Sequence, residues 1–206
     1  MGKETWDKHW MQKASEGSIW EKIAGLYRRL FISVEVKHYV EKHFPPSGIF
    51  VECGSGTSEA SSKIDKQNRL LIALDFSRMP LCRARENPNI DLCIQADFFS
   101  LPFRDNVIDG IYNVGVMEHY EEKELKLILK EFQRVLKRGG CCLFLWPQKY
   151  NWVELASKVK PLFPESPSLF DKKSVPHLLK EAGFDKLSWN LSPFAVFLHY
   201  AVVAYK

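Results

Sequence analysis

The most informative segment of this chain is Ile49-Phe50-Val51-Glu52-Cys53-Gly54-Ser55-Gly56-Thr57-Ser58. Its apolar residues, two of which are β-branched, predict a short buried strand that ends near Glu52. Thr57 or Ser58 can cap a helix that follows the two glycines. A strand, a glycine turn and a helix in this order form the nucleotide-cradling unit of a doubly wound sheet. The glycines let the backbone approach a ligand closely, and the helix N-terminus offers free N–H groups.

Each of the next three predicted strands is also followed by an acidic residue. The run 69–74 ends at Asp75, roughly 20 residues after the glycine turn, which is the spacing of a carboxylate that reaches ribose hydroxyls. The run 90–96 ends at Asp97, and the run 107–114 is followed by Glu118. With Glu52, four successive strands therefore have a carboxylate at the edge of the sheet that holds the ligand in open α/β folds.

The charge of this edge indicates the kind of ligand. A dinucleotide would bring a pyrophosphate to four carboxylates with little basic compensation, since Arg78 is the nearest basic residue in the second loop. The dinucleotide fingerprint G-x-G-x-x-G also needs a glycine where this chain has Glu59. A ligand with ribose hydroxyls, an adenine amine and a positive centre fits better. S-adenosylmethionine has these features and carries no phosphate.

The ordered motifs of the chain resemble those of the class I (seven-stranded) S-adenosylmethionine-dependent methyltransferases. They are Val51-Glu52-Cys53-Gly54-Ser55-Gly56, Leu74-Asp75-Phe76-Ser77, Gln95-Ala96-Asp97 and Glu131-Phe132-Gln133-Arg134-Val135-Leu136-Lys137-Arg138-Gly139-Gly140. The resemblance is closest to the ubiquinone/menaquinone-biosynthesis-like group that acts on small molecules, and it covers residues 45–147 well. The family usually has a third glycine where this chain has Ser58, and a serine fits there if its φ stays below zero.

The resemblance implies a fold and a set of cofactor contacts. The fold is α/β, a doubly wound Rossmann-like sheet of about seven strands, mostly parallel with an antiparallel C-terminal edge hairpin and helices on both faces. The cofactor is S-adenosyl-L-methionine. Asp97 is expected to accept from the adenine amine, and the Phe98 backbone N–H to reach a ring nitrogen. The candidate cofactor-binding residues are Trp10, Glu52, Cys53, Gly54, Gly56, Asp75, Phe76, Ser77, Met79, Asp97, Phe98, Asn113, Gly115, Val116 and Glu118.

Residues 1–46 predict an N-terminal helical cap. Trp6 and Trp10 lie at helical spacing in its first part, and a second helix is expected from about Ser18 to His43, where two prolines follow. The cap either only packs on the sheet or closes an aromatic lid over the ligand edge. The resemblance favours the lid, and the π-face of an indole attracts a sulfonium cation.

The second half of the chain predicts further elements in order. A short helix over 78–86 precedes the third strand, and an amphipathic helix with an apolar stripe over 125–136 ends at Gly139-Gly140. Cys141 and Cys142 are neighbours on a fifth strand and should face opposite sides of the sheet. The segment 148–173 is too long for a simple connection, so it predicts a substrate lid. A helix capped by Ser174 and two strands over 184–191 and 194–205 complete the chain.

The length and composition suit a single α/β domain over residues 1–206, which the resemblance makes a methyltransferase domain. The hydrophobic content of 46% suits an apolar core. The net charge of +4 falls short of the strong basic asymmetry expected of a dedicated nucleic-acid binder, although it does not exclude RNA. The five cysteines include no C-x-x-C pair, so neither a disulfide framework nor a metal site is expected. No signal peptide and no run long enough to span a bilayer occurs, which predicts a cytoplasmic protein.

Methyl transfer from a sulfonium is an in-line displacement, and orientation alone can supply about 7–11 kcal/mol of barrier lowering. A base is useful only when the acceptor must lose a proton. His119 is the catalytic candidate, because it follows the fourth strand and its side chain titrates near neutral pH; it could instead pack on the helix start. We therefore expect a methyltransferase of a small or lipophilic acceptor. A non-catalytic S-adenosylmethionine-binding partner subunit and a dinucleotide-dependent oxidoreductase are the alternatives.

Overall fold

A seven-stranded β-sheet is the central layer of the structure, a computed structural model that describes residues 6–8, 10–11, 23, 25–147, 171, 173–193 and 199–206. The strands are β1 (Ser47–Cys53), β2 (Asn68–Asp75), β3 (Leu92–Gln95), β4 (Ile108–Val114), β5 (Leu136–Pro147), β6 (Lys186–Leu191) and β7 (His199–Tyr205). The predicted α/β class and strand count are confirmed.

The strand order of the sheet is β3-β2-β1-β4-β5-β7-β6. Strands β1 to β5 pair in parallel, whereas β7 runs antiparallel between β5 and β6, as the expected edge hairpin requires. The strand order therefore reverses direction between β1 and β4. In doubly wound sheets the crevice outside the carboxyl ends of these two strands is the ligand site.

Helices cover both faces of the sheet. They are α1 (Ser33–His43), α2 (Arg78–Ala84), α3 (Glu122–Val135) and α4 (Ser174–Glu181). A π-helical turn, Arg28–Ile32, leads into α1, and 3-10 turns follow β1 (Glu59–Lys63) and β4 (Met117–His119). Among the described residues, no helix is both long and apolar enough to cross a bilayer.

The two faces bury separate apolar clusters. On one face, Val36 and Val40 of α1 pack with Phe50 of β1 and with Cys141 of β5. On the other face, the apolar stripe of α3 and residues of α4 pack with Cys142 and its neighbours. The prediction that the two cysteines face opposite sides is thus confirmed. Full burial of each large apolar side chain contributes about 1.5–3 kcal/mol, so these clusters fix the sheet that positions the site.

Two predicted helix boundaries are wrong. Helix α3 ends before the glycine pair, because Leu136 already pairs with Ile108 at the start of β5 and Lys137 donates to Asp109 at 2.8 Å. The cap of α4 comes from Asp171, whose Oδ2 accepts from the Ser174 N–H at 2.8 Å and from its hydroxyl at 2.9 Å. The serine therefore presents its hydroxyl to the capping carboxylate and does not itself cap the helix.

Two parts of the expected organisation lie outside the described residues. Positions 12–22 belong to the predicted N-terminal cap, and positions 148–170 belong to the predicted substrate lid. The lid assignment for 148–173 and the division of the chain into one domain with a cap stay predictions.

Candidate active site

The glycine turn after β1 is held against two neighbouring strands. The N–H groups of Gly54 and Ser55 donate to the Leu74 carbonyl near the end of β2, at 2.8 and 3.0 Å. Gly54 has φ of +69°, and a Cβ at this position would lie 2.7 Å from Val116 Cγ2. Only glycine permits both this backbone conformation and this contact. The turn and Val116, both sequence candidates, therefore lie together at the point where the winding reverses.

The predicted helix cap at Thr57 or Ser58 is wrong, and so is the expectation of a negative φ at Ser58. The residue has φ of +55° and ψ of +30°, and its side chain makes no capping bond. The segment that follows is a 3-10 turn of five residues. The Ser58 hydroxyl instead donates to the Glu52 carboxylate, so the serine turns back toward β1 rather than toward the helix start.

Asp75 lies at the end of β2 and orients the neighbouring loops. Its Oδ2 accepts from the Gly56 N–H at 2.9 Å, and its Oδ1 accepts from the Ser77 N–H at 2.9 Å. Burial raises the pKa of Asp75, and the two backbone N–H groups oppose that shift. Because an ionised carboxylate has about four acceptor positions, each oxygen can still accept from a ligand hydroxyl.

Glu52 is used within the protein. It is buried, and its Oε2 accepts from the hydroxyls of Ser58 and Ser61, the latter at 2.6 Å. Burial raises the pKa of Glu52 to about 7, although both hydroxyls favour the charged form. The sequence placed this carboxylate at the ligand edge, and in the structure it binds the two serines that follow the glycine turn.

The end of β4 carries a carboxylate with an unused oxygen. Glu118 is only 5% exposed, and among the described residues no group forms a hydrogen bond to its Oε2. Burial raises the pKa of Glu118 to about 8. Its Oε1 lies beside Gly115, 3.5 Å from where a side chain at that position would begin. A buried acceptor of this kind is costly unless a ligand satisfies it, and a cation would favour its ionised form.

His119 follows directly and is covered by the N-terminal segment. The Trp6 ring meets the His119 ring edge to face, with 5.1 Å between ring centroids. The imidazole is buried beside this ring contact.

The N-terminal residues cross three of the loops that form the site. Besides the contact of Trp6 with His119, a Cβ at Gly56 would lie 3.2 Å from Trp10 Cζ2, which puts the indole over the glycine turn. Asp7 Oδ1 accepts from the Ser77 hydroxyl at 2.7 Å. The sequence reasoning missed Asp7. The available signal was its position three residues before Trp10, which places the two side chains on one helix face.

Four further candidate residues lie in or beside the strands at this edge. Asn113 and Cys53 join β4 to β1, because the Asn113 amide donates to the Cys53 carbonyl at 2.7 Å. The Phe76 carbonyl accepts from the Gln95 amide at 3.0 Å, and Met79 is exposed at the start of α2. These hydrogen bonds link β4 to β1, and the loop after β2 to β3.

The third loop contributes an aromatic wall. Asp97 is exposed and its Oδ1 accepts from the Phe99 N–H at 3.0 Å. Phe98 is buried and meets Tyr120 edge to face, with 5.6 Å between ring centroids. Tyr120 directly follows His119, so the aromatic loop after β3 and the end of β4 are in contact.

The donor and acceptor set fits a cationic nucleoside better than a metal ion. Within the described ranges, no group of three or more His, Cys, Asp and Glu side chains could hold a metal. The unused Glu118 oxygen suits an ammonium or sulfonium, and the Asp75 carboxylate suits vicinal hydroxyls. S-adenosylmethionine carries both kinds of group.

Comparison with known proteins agrees with this chemistry. Residues 51–144 match the sequence model of a family described as methyltransferase domain, a region that runs from β1 into β5. A SAM-dependent methyltransferase from Thermotoga maritima superposes with a TM-score of 0.70 and 18% identity, covering 96% of this chain and 99% of that one. The sequence match covers less than half of the chain and shows a similarity to methyltransferase domains over that region. The structural likeness by itself shows the fold.

Curated relatives match part of the chain at lower coverage of their own length. Probable tRNA methyltransferase 9B of Mus musculus is 28% identical over 140 residues, 66% of this chain and 30% of that protein. Malonyl-[acyl-carrier protein] O-methyltransferase of Hamiltonella defensa subsp. Acyrthosiphon pisum (strain 5AT) is 24% identical over 144 residues, 70% of this chain and 51% of that protein. The chain thus spans about half or less of the length of these relatives.

Proposed function

We propose that this protein transfers the methyl group of S-adenosylmethionine to a small or lipophilic acceptor, as in the ubiquinone/menaquinone-biosynthesis-like group. The observation that carries the proposal is the buried Glu118 carboxylate, whose Oε2 has no partner among the described residues, at the end of β4 where the winding reverses. A cationic ligand with ribose hydroxyls satisfies both Glu118 and the nearby acidic end of β2.

The proposal gives Asp75, Glu118 and Trp10 separate tasks in holding the cofactor. S-adenosylmethionine supplies a methyl group bonded to a sulfonium, which a nucleophile can take by in-line displacement. Asp75 accepts hydrogen bonds from the ribose hydroxyls while the Gly56 and Ser77 N–H groups hold it in place. Glu118 binds the positive amino group. Trp10 lies against the glycine turn and excludes water from the site.

His119 is the proposed base when the acceptor must lose a proton. It lies at the end of β4, beside Glu118 and against Trp6, so the edge of the indole shields it from bulk water. Histidine is the side chain that most often acts as a general base in enzymes.

The aromatic wall beside His119 indicates the class of acceptor. Tyr120 meets both Phe98 and Phe99 edge to face, at 5.6 and 5.7 Å between ring centroids, and Phe99 is partly exposed. This wall continues from His119 toward the loop after β3. Phe98 and Tyr120 are buried, so the exposed Phe99 ring is the surface that this wall offers, and it favours an acceptor with an apolar or ring portion.

The test is transfer of a labelled methyl group from S-adenosylmethionine to separate acceptor pools. The pools are the organic-soluble and aqueous small molecules of a cell extract, malonyl-loaded acyl carrier protein, and total tRNA. We expect label in a small-molecule pool and less in a His119→Ala variant if that acceptor loses a proton. Label confined to tRNA would overturn the acceptor assignment. No label in any pool, with cofactor binding intact, would favour the non-catalytic partner subunit.

A further inference from the structure

Ser58 occupies a backbone conformation that favours glycine. Its φ of +55° and ψ of +30° lie in the left-handed region, which non-glycine residues adopt rarely. The residue is fully buried, and its backbone is held at both polar groups. The Ser58 N–H donates to the Ser55 carbonyl at 2.8 Å, and its own carbonyl accepts from the Asn87 side-chain amide at 2.7 Å. The conformation is therefore a fixed feature of the loop.

The side chain of Ser58 belongs to a buried hydrogen-bond set. Its hydroxyl and that of Ser61 donate to the same oxygen of Glu52. The Ser61 hydroxyl also lies 2.6 Å from the Tyr112 hydroxyl, and because its single proton goes to Glu52, Tyr112 is the donor in that pair. The set links β1, the 3-10 turn after it, and β4. We call the Glu52, Ser58 and Ser61 side chains the loop brace.

The loop brace acts on the part of the glycine turn that faces the proposed cofactor site. Glu52 precedes the turn and Ser58 follows it, so the hydrogen bond between them closes the loop at its base. Within the turn, the Gly56 N–H is held by Asp75, and Trp10 lies against the same glycine. A change in the backbone at Ser58 would therefore move the Gly56 N–H relative to the carboxylate that is proposed to meet the ribose.

We propose that the Ser58 hydroxyl, held by Glu52, is a positioning group that sets the geometry of the cofactor loop, a task that related loops leave to a third glycine. The proposal rests on the proposed function, because it concerns affinity for S-adenosylmethionine and its product. It explains why a serine is found where its backbone conformation is disfavoured. The hydrogen bond of its hydroxyl to a buried carboxylate offsets the cost of the conformation and restricts the loop more than a glycine can.

The test separates the backbone conformation from the hydroxyl. Ser58→Gly keeps the conformation accessible and removes the hydroxyl, whereas Ser58→Ala removes the hydroxyl and keeps the conformational cost. Ser62→Ala is the matched control, because the Ser62 hydroxyl is exposed in the same turn and donates only locally, to the Glu59 carbonyl at 2.8 Å. Each purified full-length variant is titrated with S-adenosylhomocysteine by calorimetry, and its thermal unfolding is measured without ligand.

We expect Ser58→Gly to remain folded and to bind S-adenosylhomocysteine about three- to tenfold more weakly, part of the roughly tenfold or greater effect of a hydrogen bond to a charged group. Ser58→Ala should lose at least as much affinity and also melt at lower temperature, and Ser62→Ala should match the wild type in both measurements. Wild-type affinity in Ser58→Gly would overturn the positioning role while leaving the proposed function intact. A wild-type protein that binds no S-adenosylhomocysteine would overturn both.

Discussion

Replacing Asp75 by asparagine tests the acidic end of β2 with little change in shape. The carboxylate accepts one hydrogen bond on each oxygen, from the N–H groups of Gly56 and Ser77, both at 2.9 Å. An asparagine has one acceptor oxygen and one NH2 group. Whichever way the amide turns, one of the two backbone N–H groups faces a donor and loses its partner.

Two effects of Asp75→Asn on stability oppose each other. A hydrogen bond to a charged group is worth about 1.5–3 kcal/mol, and one such bond is lost. However, burial and the nearby Asp7 carboxylate raise the pKa of Asp75, so the buried charge carries a cost that a neutral amide avoids. We therefore expect a net loss of about 1 kcal/mol, or a fall of about 2–4 °C in the melting temperature for a domain of this size.

The effect of Asp75→Asn on affinity should be larger. A ribose hydroxyl that donates to a carboxylate contributes about 1 kcal/mol more than one that donates to an amide. Two hydroxyls give about 2 kcal/mol, which with 1.4 kcal/mol per factor of ten corresponds to roughly 10- to 30-fold weaker binding of S-adenosylhomocysteine. Asp75→Ala should weaken binding by up to about a hundredfold, since it removes every acceptor.

The assay is isothermal calorimetry with S-adenosylhomocysteine, with thermal unfolding of the same samples. Asp105→Asn is the control, because Asp105 is exposed, pairs with Arg134 at 2.7 Å, and such surface pairs contribute about 0–1 kcal/mol. It should leave affinity unchanged. Unaltered affinity in a folded Asp75→Asn variant would refute the assignment of Asp75 to the ribose.

Three further predictions concern the rest of the site. Burial raises the pKa of Glu118 to about 8 in the folded chain, whereas the unfolded chain releases this proton near pH 4.5. The contribution of this group to the stability of the fold is therefore complete below pH 4.5 and is lost as the pH rises through 8. The melting temperature of ligand-free protein should therefore fall between pH 6 and 8.5, and a Glu118→Gln variant with the same slope would exclude Glu118 as the cause. S-adenosylhomocysteine should change the tryptophan fluorescence, and the change should shrink in Trp10→Leu; the same signal in that variant and after deletion of residues 1–16 would reduce the N-terminal helix to a packing cap. A short linker in place of residues 148–173 should abolish methyl transfer but keep cofactor affinity, and a folded variant that loses calorimetric binding would count against a substrate lid.

The strands and the ligand edge could be predicted from the sequence because their signals are local. An apolar run that ends in a carboxylate places Asp75 at the end of a strand, and parallel strands bring such ends to one edge. Helical spacing placed Trp6 and Trp10 on one predicted segment, and the family resemblance favoured a position of that segment over the ligand edge. The antiparallel hairpin at the end of the chain came from the family resemblance.

What the sequence did not reveal depends on contacts between distant residues. Ser58 looked like a helix cap because serine caps helices in general, but its hydroxyl is taken by Glu52, whose burial could not be known in advance. Asp171 caps α4 three residues ahead of the expected serine. Lys137 lies in β5, where its amino group donates to Asp109. In each case a specific side-chain partner outweighed the local preference.

Binding of S-adenosylhomocysteine to the wild-type chain decides whether the acidic edge of the sheet is a cofactor site. Calorimetric titration of the full chain should show saturable binding of one S-adenosylhomocysteine per chain, with a matching rise in melting temperature, and no binding of reduced nicotinamide cofactor under the same conditions. Saturable binding of the reduced nicotinamide cofactor with no heat from S-adenosylhomocysteine would contradict the account, because the carboxylates of Asp75 and Glu118 would then serve a different ligand.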